Sequence, residues 1–374
     1  MSPAKSRATR KPMQSATKAG ASRLVRALRE GRSQGPGRSE GRVVLVRFES
    51  RALKGNPLGD PSVRTVPVYL PPGYDDPAQL RRRYPSVYVL TGYTGRGTML
   101  LNDTGWGETL PRRLDRLIHA GTIQPMIAVM PDCFTKYGGS QYLDSSAHGR
   151  YETHLIKELV PFVDRTFRTL AKPAHRAVMG KSSGGYGAIV HGLRHPDVFG
   201  ALADHSGDSA FEYCYLPDFP AVCLAVWKHK GSLTSWWHAF QRVPKKSHDW
   251  LKILNIVAMA AAYSPNPRKP LRVDLPFDLK TGRLDAAVWR RWLAWDPVRM
   301  VANVARYRRA AKELRLVFVD CGLKDEFNLQ LGARILVEEL RKAGARVVHE
   351  EFDDGHMDIQ YRYDRSLEAL SKVL

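Results

Sequence analysis

The chain has 374 residues, of which 43% are apolar and 25% charged, enough for one large domain or two small ones with a substantial core. That composition excludes collagen, coiled coil and wholesale disorder. Lys and Arg number 58 against 37 acidic residues, a balance of +21 that favours anionic partners or surfaces and says nothing of the fold.

Residues 1–42 carry eleven Lys or Arg against Glu30 and Glu40, in a background of Ser, Ala, Gly, Thr and Pro. With almost nothing apolar to bury, this segment is expected to be a disordered, solubilising tail. Contact with an anionic surface and an Arg-rich, transit-like leader are the functional alternatives. No secretory apolar stretch follows Met1, and no run reaches the ~18 apolar residues of a membrane span, so a cytoplasmic chain is expected. The tail holds +9 of the charge, leaving +12 for the remainder, so nucleic acid is not an expected partner. Cys214 and Cys223 are the only plausible disulfide pair, and Cys133 and Cys321 sit in core-like runs; free buried thiols are expected.

Val43-Val44-Leu45-Val46 and Thr65-Val66-Pro67-Val68-Tyr69-Leu70 read as antiparallel strands joined by a loop around Gly55-Asn56-Pro57. Continuous apolar runs follow at Ser86–Leu90, Met126–Met130, Arg176–Met179, Leu316–Val319 and Arg346–Val348. Runs without alternation suit strands covered on both faces, as parallel strands are. Helical periodicity lies between them, at Thr109–Ala120, Glu152–Thr166, Gly185–Arg194 and Phe327–Ala343. Strand and helix alternate with short connections, so the fold class is α/β with a mostly parallel central sheet flanked by helices.

One segment breaks that rhythm. Residues 209–309 hold seven of the eight tryptophans and a Pro-rich stretch, with no convincing strand. They read as a helical, Trp-rich cap between two core parts, residues 43–208 and 310–374. Most of the aromatics are expected to pack the cap's own core.

Gly180-Lys181-Ser182-Ser183-Gly184-Gly185 joins an apolar strand to a helix, the context of a nucleophile elbow. There the turn strains the serine and lifts its hydroxyl above the sheet, while the glycines let strand and helix approach. Gly-Lys-Ser also ends a phosphate-binding loop, but that motif needs glycine where His175 stands.

An acid and a histidine should follow in chain order. Asp325 lies in the loop after the strand at 314–319, and His356 in the loop after the strand at 346–352. Both loops leave the edge where open parallel sheets keep their sites. Ser182 is then the nucleophile, His356 the base and Asp325 the orienting acid, with Asp320 as the alternative acid. For the oxyanion, the backbone N–H of Ser183 and that of Tyr93, in the Gly-rich loop Thr91–Gly97, are the candidate donors. Thr94 and Trp106 are the candidate substrate contacts.

Several stretches, in this order, resemble one family. They are Val68–Tyr74, Tyr151-Glu152 ahead of Glu158–Pro161, Gly180–Ala188 running on to His195–Phe199, Cys321–Phe327, and Gly355-His356. The chain is similar to the α/β-hydrolase esterases that include esterase D, enterochelin esterases, feruloyl esterases and mycobacterial mycolyltransferases. The resemblance covers about residues 43–210 and 310–374. It implies the α/β-hydrolase fold, the triad Ser182, Asp325 and His356, and the Tyr93 and Ser183 oxyanion donors. Thr91 stands where many hydrolases have histidine, and Ser183 where methionine is common; neither change removes a backbone donor.

His191 and His195 have metal-ligand spacing, but Gly192 stands where a zinc-protease motif has glutamate, and a solvated helix face or cap is expected. Asp132 and Asp144 read as turn residues. No metal site, cofactor fingerprint or repeat is found. The expectation is a serine carboxylesterase acting on small-molecule or polymeric esters, of aryl, short-acyl or polyester type. Acyl transfer to another alcohol and a non-catalytic basic binding protein are the alternatives.

Overall fold

The computed structural model describes residues 40–374; most of the basic tail therefore lies outside the described residues. Eight strands form the central sheet: β1 (Arg42–Glu49), β2 (Val63–Leu70), β3 (Ser86–Leu90), β4 (Ile127–Val129), β5 (Arg176–Lys181), β6 (Ala201–His205), β7 (Leu316–Gly322) and β8 (Val347–Phe352). Their spatial order is β1-β2-β4-β3-β5-β6-β7-β8. β1 pairs antiparallel with β2 and β2 with β4, whereas every later pairing is parallel.

β1 shows why the edge is antiparallel. Val44, Val46 and Phe48 turn inward while their neighbours face outward, the period-2 pattern of a strand covered on one face. The charge pattern places Arg42 in the tail, yet it opens β1 opposite Leu70. Its guanidinium donates to Asp75, and the Gly41 N–H donates to Asp115 Oδ1 at 2.9 Å.

The interior strands β3, β5, β6 and β7 are buried almost throughout. Helices flank them: α1 (Leu110–His119), α2 (Val160–Thr166), α3 (Ser183–Arg194), α4 (Leu329–Lys342) and α5 (Tyr363–Ser371). α3 starts at Ser183, two residues earlier than its apolar period suggests.

β6 carries no strand signal of its own in the sequence. Ala201-Leu202-Ala203-Asp204-His205 combines weak strand formers with two titratable side chains. Tertiary context overrides that propensity: His205 bonds Asp320 Oδ1 at 2.6 Å and Ser366 Oγ at 2.8 Å, fully buried.

From Phe211 to Asn303 the chain runs through helices and loops between β6 and β7. Asp296 fixes the entry: its buried carboxylate accepts from the N–H of Ala210 and of Phe211 at 3.0 and 3.1 Å. Phe211, Trp236, Tyr263 and Trp292 belong to one apolar cluster with Leu90, Val178 and Leu202 of the sheet. The segment therefore has no core of its own among the described residues; its aromatics complete that of the sheet. Trp227 is more than half exposed. All four cysteines are free, Cys223 being only half-buried. No described helix is long and apolar enough to cross a membrane.

Candidate active site

Ser182 sits between β5 and α3 with φ +58°, a left-handed conformation that costs a serine of order 1–3 kcal/mol unless the surroundings impose it. They do. The Ser182 N–H donates to His205 O on β6 at 2.8 Å, and Ser182 O accepts from the Tyr186 N–H at 2.9 Å. A Cβ on Gly180 would lie 2.5 Å from Gly184, and one on Gly184 2.3 Å from Leu90 O, so only glycine lets β5, α3 and β3 converge here.

Asp325 and His356 meet at the next strand ends along the same edge. Asp325 Oδ2 lies 2.7 Å from His356 Nδ1, and both residues are buried. A carboxylate accepting there leaves the proton on Nδ1 and the lone pair on Nε2. The Phe327 N–H donates to Asp325 Oδ1 at 2.9 Å, and the Cys321 thiol approaches Oδ2 at 3.7 Å. A second link ties the loops together: Glu326 Oε2 accepts from the His356 N–H at 2.8 Å. The Phe327 ring packs edge-on against the imidazole at 4.9 Å. No hydrogen bond joins Ser182 Oγ to His356 Nε2 among the described residues; such bonds are often long until substrate arrives.

The other acids are committed elsewhere. Asp320 is held by His205 and by Arg362 Nε at 2.9 Å, so its buried carboxylate serves the sheet. Asp353 pairs with Lys324 at the surface, and Asp354 accepts from the Gly355 N–H and the Tyr361 hydroxyl. Asp144 caps Thr153, and Asp132 accepts from the Phe134 N–H.

Tyr93 and Ser183, whose backbone N–H groups are the candidate donors, line one small cavity with Gly92 and Gln141. Among the described residues neither N–H has a protein acceptor, which is the condition for receiving an oxyanion. The Tyr93 hydroxyl donates to Tyr137 O at 2.7 Å, pinning the loop. A Cβ on Gly92 would sit 3.3 Å from Ser182 Cβ. Thr94 is an exposed turn residue with φ +66°. Trp106 is not brought to the site: its ring is fully exposed in a turn closed by Thr104 and Gly107.

His191 is also not on a solvated face. It is fully buried, its Nε2 lying 3.1 Å from Tyr142 O, and it sits with Glu152 and His195 in a group whose ligand atoms fall within 4.8 Å. The Arg194 guanidinium grips the Glu152 carboxylate at 3.0 and 3.3 Å, and His195 Nε2 lies 2.6 Å from it. A cation there would sit against Arg194; Glu152 is instead committed to Arg194 and His195 at the C-terminal end of α3.

Residues 61–358 match the family model described as "Putative esterase". The chain belongs to this esterase family. A bifunctional endo-1,4-beta-xylanase/feruloyl esterase of Xylanibacter ruminicola is 33% identical over 162 residues, covering 42% of this chain and 20% of that protein. An esterase of Mycobacterium tuberculosis is 32% identical over 188 residues, covering 48% of this chain and 37% of that one. The esterase-family chain thus spans well under half the length of either relative. Among solved structures, a ferulic acid esterase superposes with TM-score 0.58 at 21% identity, covering 90% of this chain and 100% of the other. An S-formylglutathione hydrolase from Agrobacterium tumefaciens superposes with TM-score 0.54 at 19% identity, covering 91% and 98%. These likenesses show the α/β-hydrolase fold.

Three residues of the site's surroundings have no signal in the sequence. Gln141 and Tyr142 are consecutive residues at φ +49° and +59°, and Asp208 appears in the sequence only as a boundary. No local pattern singles them out; tertiary contact brings them together.

Proposed function

We propose that this member of the esterase family hydrolyses carboxylic esters through an acyl-enzyme on Ser182. The observation that carries the reading is the Asp325–His356 contact of 2.7 Å at the strand ends beside the strained Ser182. In the first step Ser182 Oγ attacks the ester carbonyl while His356 Nε2 takes its proton, and Asp325 stabilises the imidazolium. The Tyr93 and Ser183 N–H groups receive the oxyanion. The tetrahedral adduct collapses, the C–O bond breaks, and the alcohol leaves with the proton from His356. Water then gives a proton to His356 and its oxygen to the acyl carbon; the second adduct releases the acid and returns the proton to Ser182.

An aryl or otherwise bulky ester is the proposed substrate class. Exposed Phe327 packs on His356 and exposed Met357 follows it in the chain, while exposed Tyr213 contacts Asn328, next to Phe327; this is an apolar rim suited to such groups, and one relative is named for feruloyl esters. The test is hydrolysis of p-nitrophenyl esters from acetate to palmitate and of methyl cinnamates, with Ser182→Ala alongside. Turnover should fall by roughly 10³- to 10⁶-fold in the variant. Undiminished turnover in Ser182→Ala, or none in the wild type with any ester, would overturn the reading.

A further inference from the structure

Beside the catalytic groups lies a polar cluster that the hydrolytic mechanism does not use. Asp208 stands three residues beyond β6, whose last residue, His205, receives the Ser182 N–H bond. Its Oδ2 accepts from Gln141 Nε2 at 2.8 Å and from the Tyr215 hydroxyl at 2.9 Å. Gln141 Nε2 also donates to the Tyr263 hydroxyl at 2.9 Å. Gln141 thus joins the oxyanion-loop wall to Asp208, while Tyr215 and Tyr263 belong to the segment between β6 and β7.

Three features mark the cluster as more than packing. Gln141, Tyr215 and Tyr263 are buried, whereas Asp208 is partly exposed. Its Oδ1 has no hydrogen-bond partner among the described residues and is not sealed from solvent. Gln141 is held in a left-handed conformation, as is Tyr142 after it, strain of the kind that collects at functional sites. Burial raises the Asp208 carboxyl, and its partner Gln141 lines the cavity shared by Tyr93 and Ser183, which puts the cluster beside the candidate oxyanion donors. An acid held by the Gln141 amide and the Tyr215 hydroxyl, with no cationic side chain among its hydrogen-bond partners in the described residues, suits a neutral hydroxyl better than a free cation.

We infer that Asp208, fixed by Gln141 and Tyr215, is a specificity-determining residue whose free Oδ1 accepts a hydrogen bond from a hydroxyl on the ester substrate. The inference rests on the esterase reading and narrows it to hydroxyl-bearing esters. A site whose acceptor is matched to a substrate hydroxyl discriminates against the analogue lacking it, because the acceptor is then left unpaired.

The test compares methyl 4-hydroxycinnamate with methyl cinnamate and methyl 4-methoxycinnamate. In the wild type, kcat/KM should favour the hydroxylated ester by about tenfold or more over both. Asp208→Ala should bring that ratio to near unity. Tyr215→Phe, which frees one tether of the carboxylate, should give an intermediate ratio and serves if Asp208→Ala fails to fold. Absence of the preference in the wild type, its persistence in Asp208→Ala, or an equal fall for all three esters would overturn the inference. Calorimetric binding of the same esters to Ser182→Ala separates the two readings. Asp208-dependent preference in binding without any wild-type turnover keeps the hydroxyl site and discards the esterase; turnover without preference does the reverse.

Discussion

Asp320, near the end of β7, and Asp325, in the loop that follows, are two buried carboxylates five residues apart and different in task. Asp325 contacts the imidazole of His356, whereas Asp320 is shared between His205 and Arg362. The difference gives an asymmetric prediction. Asp325→Asn should lower kcat by roughly 10⁴-fold with little change in melting temperature, since the wrong imidazole tautomer is then favoured. Asp320→Asn weakens the buried ion pair with Arg362, which keeps only Glu350, and disturbs the buried contact with His205; it should destabilise the fold by roughly 3–5 kcal/mol while residual folded enzyme stays active. Steady-state kinetics beside thermal melts on both variants checks this; the opposite pattern would exchange the two roles. Asp320 was legible as an alternative acid because both residues sit near one strand end. Sequence spacing cannot say which one a distant histidine reaches.

The helical run that begins at Tyr151 and ends with α2 shows how burial sets an element's response to pH. His148 just before it, His154 within it and His191 on α3 are held neutral by burial, pushed down to about 4, 3 and 3 from an ordinary 6.5. Glu152 goes down to about 2: burial opposes its charge, but His195, His191 and Arg194 together outweigh burial. Both kinds of group have folded-state values below their unfolded ones. The stability they lend is complete above the unfolded value and is lost as pH falls. The histidines should therefore erode stability from pH 6.5 downward, each by about 1.4 kcal/mol per pH unit, and Glu152 adds its share below pH 4.5. Urea unfolding at pH 7.5, 5.5 and 4.5 measures the slope, and His154→Phe, between the rings of Phe48 and Tyr151, should flatten it. A slope unchanged by that substitution would mean that His154 charges without cost. At this scale the sequence marks the helices well, because apolar period and chain length agree. It misplaces His191, since i,i+4 spacing reports which residues share a face and not what covers that face.

Over the whole molecule, the segment between β6 and β7 shares one apolar cluster with the sheet. Seven of the eight tryptophans lie in it, so tryptophan fluorescence reports on that segment and far-UV circular dichroism on the entire chain. If the core is continuous the two thermal transitions should coincide within error, as a single cooperative unit requires. An earlier fluorescence transition would make the segment an independent unit and remove the reason for burying Trp236 and Trp292 against it.

The order of apolar runs and helical periods determined the α/β class, and the Gly-x-Ser-x-Gly turn with its later Asp and His indicated the candidate site, because those signals are local and carried by a few consecutive residues. β6, the inclusion of Arg42 in the sheet, the outward position of Trp106, and the Gln141–Asp208–Tyr215 cluster were decided by tertiary structure alone. Each depends on which distant backbone or side chain satisfies a polar group or covers an apolar one. Hydrogen bonding between residues 67 or more positions apart, as Gln141 and Asp208 are, leaves no trace in local spacing.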